Sequence, residues 1–146
     1  MTNLDVVENS ISKVRKYLSI LNVYKKYKLE EIIKDLTLKG AVERYLYLAI
    51  QSTIDLADAV ISFKNLRRPA TLAESFSILK ENKMISDKSE LNMVQMAKFR
   101  NKITHDYEDL DYNIIYNILI NRLEDINYFL NEILENILKS ANLKSN

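Results

Sequence analysis

An all-α fold is what this sequence predicts, and three observations carry the prediction. The 146-residue chain holds one glycine, Gly40, and one proline, Pro69, so it lacks the residues that punctuate strands and hairpins. Apolar residues recur three and four apart over several long stretches, the period of a helix with one buried face. There is no cysteine, which leaves burial of helix faces, rather than disulfides or thiolate-bound metal, to hold the chain together. The expected architecture is one antiparallel bundle of four to five main helices over residues 1–139, with a polar, fraying tail at 140–146.

Each element has its own signal. Leu4, Val7, Ile11, Val14, Leu18 and Leu21 form a narrow stripe, the seam of a helix packed lengthwise on a neighbour. After the basic, tyrosine-rich stretch Tyr24-Lys25-Lys26-Tyr27-Lys28, the segment 29–33 reads as a short helix or a continuation after a bend. Residues 37–40 look like a junction. The next helix is expected over about 41–66, with Val42, Tyr45, Ala49, Leu56 and Val60 on one face. Ala49, Ser52, Ala57 and Ala59 are small enough to admit a second helix closely. Arg67-Arg68-Pro69 ends it, because a residue before proline is pushed out of the α region.

Thr71 followed by Glu74 has the spacing of a capping box, with Leu72, Phe76 and Leu79 as the apolar face behind it. Residues 82–88 form a turn in which Ser86 or Asp87 caps the following helix. That helix carries Leu91, Val94, Met96, Phe99 and Ile103 and runs into the segment 100–107. The acidic cluster Glu108-Asp109-Leu110-Asp111 marks its end and caps the last helix, whose apolar face includes Ile115, Ile118, Leu119, Leu123, Ile126, Phe129, Leu130, Ile133 and Ile137.

Charge and hydropathy narrow the function classes. With 21 basic and 20 acidic residues the net charge is +1, which argues against a protein that coats duplex nucleic acid by neutralising phosphates. Any nucleic-acid chemistry should reside in a small local site. The N-terminus lacks signal-peptide character, and no uninterrupted apolar run approaches the ~20 residues of a membrane span. A cytoplasmic location is expected. The acidic cluster at 106–111 has no calcium-loop pattern, so capping and charge balance explain it without a metal.

His105 is the only histidine, so any chemistry that needs imidazole near neutral pH must use it. On a continuous helix Asn101 shares its face, four residues back, and the amide is placed to orient the imidazole. Arg100 lies about 140° away around a straight helix, and reaches the same cleft only if its long side chain curls back. An arginine that holds a phosphate bidentately, beside a histidine that moves protons, suits phosphodiester cleavage by the ribose 2′-hydroxyl. On residue types alone the plainer reading is a salt-bridged arginine and a histidine bonded to a backbone carbonyl. The Lys64, Arg67 and Arg68 group and the Tyr24–Lys28 stretch are readable as RNA contacts. A solvated helix end and tyrosines packed at the bundle rim are the plainer readings.

The segment Arg100-Asn101-Lys102-Ile103-Thr104-His105-Asp106-Tyr107 resembles the Arg-Asn-x-x-x-His-x-Tyr motif of HepT toxins, in the HEPN superfamily. Gly40-Ala41-Val42-Glu43-Arg44-Tyr45-Leu46, Asp55-Leu56-Ala57, and Arg68-Pro69 followed by Glu74-Ser75-Phe76 resemble the same family, so the similarity spans about residues 29–130. Gln51 stands where the family more usually has Glu, a departure expected to touch no catalytic group. The resemblance implies a HEPN-type helical homodimer whose two motif copies face one cleft. It implies a metal-independent endoribonuclease without a cofactor, with Arg100 and His105 catalytic and Asn101 supporting. It implies a partner as well: an MntA-like minimal nucleotidyltransferase antitoxin that silences the toxin by transferring AMP to Tyr107. Two alternatives stand beside this reading: a non-catalytic HEPN module that binds or scaffolds a nucleotidyltransferase, and a plain structural helical dimer.

Overall fold

The computed structural model describes residues 2–105 and 110–145, with side chains described through residue 139. The described residues are helical, as expected, with no strand among them. Helix α1 (Asn3–Tyr24) starts at a capping box. Thr2 Oγ1 accepts the Asp5 N–H at 3.1 Å, and the Asp5 carboxylate accepts the Thr2 N–H at 3.0 Å. Its seam is buried at Val7, Ile11, Val14, Leu18 and Leu21, whereas Leu4 in the first turn is exposed. Helix α2 (Leu29–Lys34) is the expected short helix.

Helix α3 (Leu36–Phe63) differs from expectation at both ends. The Asp35 carboxylate accepts the N–H groups of Thr37 (3.0 Å) and Leu38 (3.1 Å), so the supposed junction at 37–40 is the first turn of the helix. An acidic N-cap satisfies donors that otherwise stay orphaned. A lone glycine costs a helix only about 1 kcal/mol, so Gly40 does not interrupt it. At the other end Asn65 takes a left-handed conformation (φ 54°), and the Leu66 N–H closes on the Ile61 carbonyl at 2.9 Å. That closure stops the helix before Arg67-Arg68-Pro69 is reached.

Helix α3 is the centre of the bundle: α1 lies along it, and α2, α4 and α5 also pack on it. Its mean hydropathy of 1.3 over an 18-residue stretch matches that of a membrane span, but 61% of that stretch is buried inside the bundle. Packing on four neighbours accounts for its apolar character.

Helix α4 (Glu74–Glu81) begins after half of the expected capping box. Thr71 Oγ1 accepts the Glu74 N–H at 3.1 Å. The Glu74 carboxylate, however, turns to the Ala70 N–H (3.0 Å) and the Arg67 guanidinium. Leu72 therefore stays outside the helix and exposed, while Phe76 and Leu79 are buried. Helix α5 (Asp87–His105) is capped by Ser86, whose Oγ accepts the Ser89 N–H at 3.2 Å. Glu132 of the last helix accepts the Ser86 N–H at 2.9 Å and the Ser89 hydroxyl, tying the start of α5 to the far side of the bundle. The buried face of α5 runs through Met93, Met96, Ala97 and Ile103. Leu91, one of the apolar residues of this helix, is 60% exposed because the helical register turns it outward.

Asp111 caps α6 (Tyr112–Asn117) by accepting the Asn113 N–H at 2.9 Å. A π-helical turn, Ile118–Arg122, joins α6 to α7 (Leu123–Ser145). The backbone of α7 stays helical past residue 139, where the sequence suggested a tail. Phe129 on α7 meets Phe76 on α4 edge-on at 5.5 Å, and both are essentially fully buried. Tyr24 stacks on Tyr45 (6.1 Å, 25°), and Tyr17 and Tyr27 flank the pair. The tyrosines of the basic stretch are thus packed at the bundle rim.

Candidate active site

The last turns of α5 carry Arg100, Asn101 and His105, and they pass beside the middle of α3. Arg100 does not curl back toward His105. It is turned onto α3, where its Nε donates to Gln51 Oε1 at 2.8 Å and one terminal nitrogen donates to the Tyr47 hydroxyl at a longer 3.3 Å. The other terminal nitrogen donates to Asn101 Oδ1 at 3.0 Å. The guanidinium carbon lies 5.2 Å from the centre of the Tyr47 ring, within cation–π range. Gln51 is itself fixed, since its amide nitrogen donates to Asp55 Oδ1 at 2.9 Å. That bond sets which end of the amide faces Arg100.

The result is a partly buried cation held by neutral acceptors. A guanidinium has five N–H donors, and three of Arg100's are used on Gln51, Tyr47 and Asn101. Two remain, one on each terminal nitrogen, the arrangement that grips an anion bidentately. None of these three partners is a carboxylate, so no ion pair among the described residues cancels the positive charge. Thr104 Oγ1 donates to the Arg100 carbonyl at 3.0 Å and buried Ile103 anchors this turn in the core.

Two expectations change here. Gln51, expected to touch no catalytic group, is the 2.8 Å acceptor for Arg100 Nε. Forty-nine residues separate the pair in sequence, and only the packing of α5 on α3 brings them together. Asn101 supports Arg100 rather than His105: its amide oxygen is engaged by the guanidinium, and no hydrogen bond among the described residues joins it to the imidazole. His105 is the exposed last residue of α5. Tyr107, the expected modification site, lies outside the described residues with Asp106, Glu108 and Asp109.

Sequence reasoning missed the α3 half of the site. Arg44, Tyr47, Gln51 and Asp55 recur at intervals of three and four, a polar stripe whose spacing was readable but whose partner was not. Arg44 also approaches the Tyr47 ring, at 5.6 Å. Beside it is a hollow of about 430 Å³ lined by Gly40, Glu43, Arg44, Tyr47, Ile103 and Thr104. Burial, with the Glu43 carboxylate nearby, pushes the neighbouring Tyr112 phenol well above its usual pKa.

Arg67, by contrast, is tied up structurally. Arg67 is clamped by Glu81 (2.8 Å) and Glu74, so it serves the α3–α4 connection. Those hydrogen bonds raise the guanidinium above its usual range and hold both carboxylates below theirs. The Asp58 carboxyl is raised by burial even though the Ser75 hydroxyl donates to it at 2.5 Å.

Comparison with known proteins gives a consistent picture. The family model described as Ribonuclease HepT-like matches residues 7–133. The mRNA nuclease HepT of Shewanella oneidensis is 27% identical over 130 residues, covering 88% of this chain and 96% of that protein. The tRNA nuclease HepT of Aphanizomenon flos-aquae is 24% identical over 118 residues, 80% of each chain. Among solved structures, the tri-AMPylated Shewanella oneidensis HEPN toxin, in complex with MNT antitoxin, superposes with a TM-score of 0.82. That match, at 24% identity, covers 92% of this chain and 99% of that one.

Proposed function

The chain belongs to the HepT-like ribonuclease family, and from that premise we propose that it is the toxin of a toxin–antitoxin pair, a metal-independent endoribonuclease acting through Arg100 and His105. The observation that carries the reading is Arg100 itself. It is a guanidinium fixed by three neutral acceptors, with one donor on each terminal nitrogen left unused among the described residues. Such a group meets the charge that develops on the non-bridging oxygens of a phosphodiester during attack.

In the proposed reaction the ribose 2′-oxygen attacks phosphorus and the bond to the 5′-oxygen breaks. The 2′-hydroxyl proton leaves to a base, and a proton is delivered to the 5′-oxygen. The products are a 2′,3′-cyclic phosphate and a 5′-hydroxyl, with no water consumed. His105, the only imidazole in the chain, is assigned the proton transfers. Arg100 turns inward onto α3 while His105 stands exposed at the helix end. That divergence favours a site assembled in a homodimer, where the motifs of two copies face one cleft and double its positive charge.

The partner in this reading is an MntA-like minimal nucleotidyltransferase. It attaches AMP from ATP to the Tyr107 phenol oxygen with release of pyrophosphate. The added phosphate brings negative charge beside the cleft, repelling RNA and occupying the space it needs. The protein is assigned to the cytoplasm, where RNA and ATP are both present.

The test is RNA cleavage by the unmodified protein with chelator present, with the new ends identified chemically. Cyclic phosphate ends, lost in His105→Ala and Arg100→Ala, are the expected result. Equal cleavage by both variants would remove the catalytic assignment. Intact mass after incubation with ATP and the cognate nucleotidyltransferase should rise in AMP steps, and Tyr107→Phe should abolish the rise. A partner complex without any cleavage by clean protein would leave a HEPN binding module instead.

A further inference from the structure

Resting on the ribonuclease reading, we propose that the hollow between α3 and the end of α5 is a nucleobase subsite. It seats the nucleotide next to the scissile phosphate: Arg44, 5.6 Å from the Tyr47 ring, swings to the adjoining phosphate, the base takes its place against Tyr47, and Glu43 is the hydrogen-bond acceptor that reads the base.

Position is the first argument. Tyr47 touches both halves of the arrangement: its hydroxyl accepts from Arg100, and its ring lies 5.2 Å from the Arg100 guanidinium and 5.6 Å from that of Arg44. The phosphate-gripping group and the hollow therefore share one wall, so a ribose-phosphate held at Arg100 delivers its neighbouring base to Tyr47. Single-stranded RNA is bound in this way, with bases on aromatic faces and cations along the backbone.

Size and chemistry agree. At about 430 Å³ the hollow falls within the ~300–1,000 Å³ of small-molecule sites. It has room on the α3 side because a β-carbon on Gly40 would meet nothing within 4 Å. Arg44 is exposed and has no carboxylate partner among the described ion pairs. Glu43, when ionised, only accepts hydrogen bonds, through two oxygens. Guanine is the common base with two adjacent N–H donors on its pairing edge, so a carboxylate here favours guanine over uracil.

Two measurements test this. In the first, GMP and UMP are titrated into isotopically labelled protein while the Gly40 amide is followed. The chain has a single glycine, so that resonance stands alone and reports from the wall of the hollow. GMP should shift it at concentrations at least roughly 10-fold below those UMP requires, in line with the strength of base stacking and hydrogen bonding. Arg44→Ala should weaken GMP binding, and Glu43→Gln should bring the two nucleotides level. No shift in the wild-type protein, or shifts unchanged in both variants, overturns the subsite whether or not the protein cleaves RNA. In the second, cut sites in a random single-stranded RNA pool are sequenced. Guanine should be enriched beside the cut for wild type and not for Glu43→Gln; identical base distributions overturn the assignment of Glu43. A specific Gly40 shift with no RNA cleavage keeps the subsite and sinks the ribonuclease reading.

Discussion

Replacing Arg100 by lysine keeps the charge and removes the fork, so Arg100→Lys separates electrostatic attraction from geometry. The arginine spends three donors on Gln51, Tyr47 and Asn101 and has two unused among the described residues, which the proposed reaction assigns to substrate. A lysine ammonium has three donors on one nitrogen and no planar pair. It cannot satisfy the Gln51 carbonyl and grip a phosphate bidentately at once. The loss is about one charge-assisted hydrogen bond, roughly 1.5–3 kcal/mol, or a fall of roughly 10- to 150-fold in kcat/KM. Net charge is unchanged, so the salt dependence of RNA binding should stay close to wild type. The assay is single-turnover cleavage of one RNA at several salt concentrations, with oligomeric state checked by light scattering. Activity within about threefold of wild type would mean that Arg100 acts only as a point charge, and the orienting role given to its neutral partners would fall.

Other expectations follow from particular contacts. Gln51→Leu removes the Nε acceptor of Arg100 and should lower kcat/KM by roughly 10- to 150-fold, about one charge-assisted hydrogen bond's worth, with the melting temperature little changed. Arg67 holds Glu74 and Glu81 below the ordinary carboxylate value of 4.5. Stability from these depressed carboxylates is present above that value and is lost as pH falls through their lowered values. The melting-temperature gap between wild type and Arg67→Ala should therefore be visible at pH 7 and close towards pH 3; a gap of constant size would contradict the linkage. Phe129→Ala empties the edge-on contact with Phe76 and should cost about 3–5 kcal/mol in urea unfolding. Gly40→Ala should stabilise the protein by about 0.5–1 kcal/mol, because Gly40 lies within α3 and a β-carbon there meets nothing. A destabilised variant would place Gly40 in a turn after all.

Helical class, most of the buried faces and the Arg100-to-Tyr107 motif were legible in the sequence, because each depends on spacing along one helix. Local chemistry set several helix starts too: Ser86 and Asp111 cap α5 and α6 by accepting nearby N–H groups, and Thr71 accepts the first N–H of α4 from outside the helix. The errors fell where two local signals competed. Asp35 and Gly40 both bid for the start of α3, and the acidic cap won because a satisfied N-terminus outweighs one glycine. Leu91 belongs to α5 by its place in the sequence, but the register turns it to the exposed side.

The functional half that sequence could not reach was the direction of Arg100. Its five-residue spacing from His105 suggested a side chain curling toward the imidazole, and the packing of α5 on α3 turned it the other way. Tyr47, Gln51 and Asp55 looked like an ordinary polar stripe until that packing gave them a guanidinium to hold. Periodicity states which residues share a face of their own helix. Which face of another helix they meet is set by how the buried surfaces interlock across the bundle, and that is a property of the tertiary structure alone.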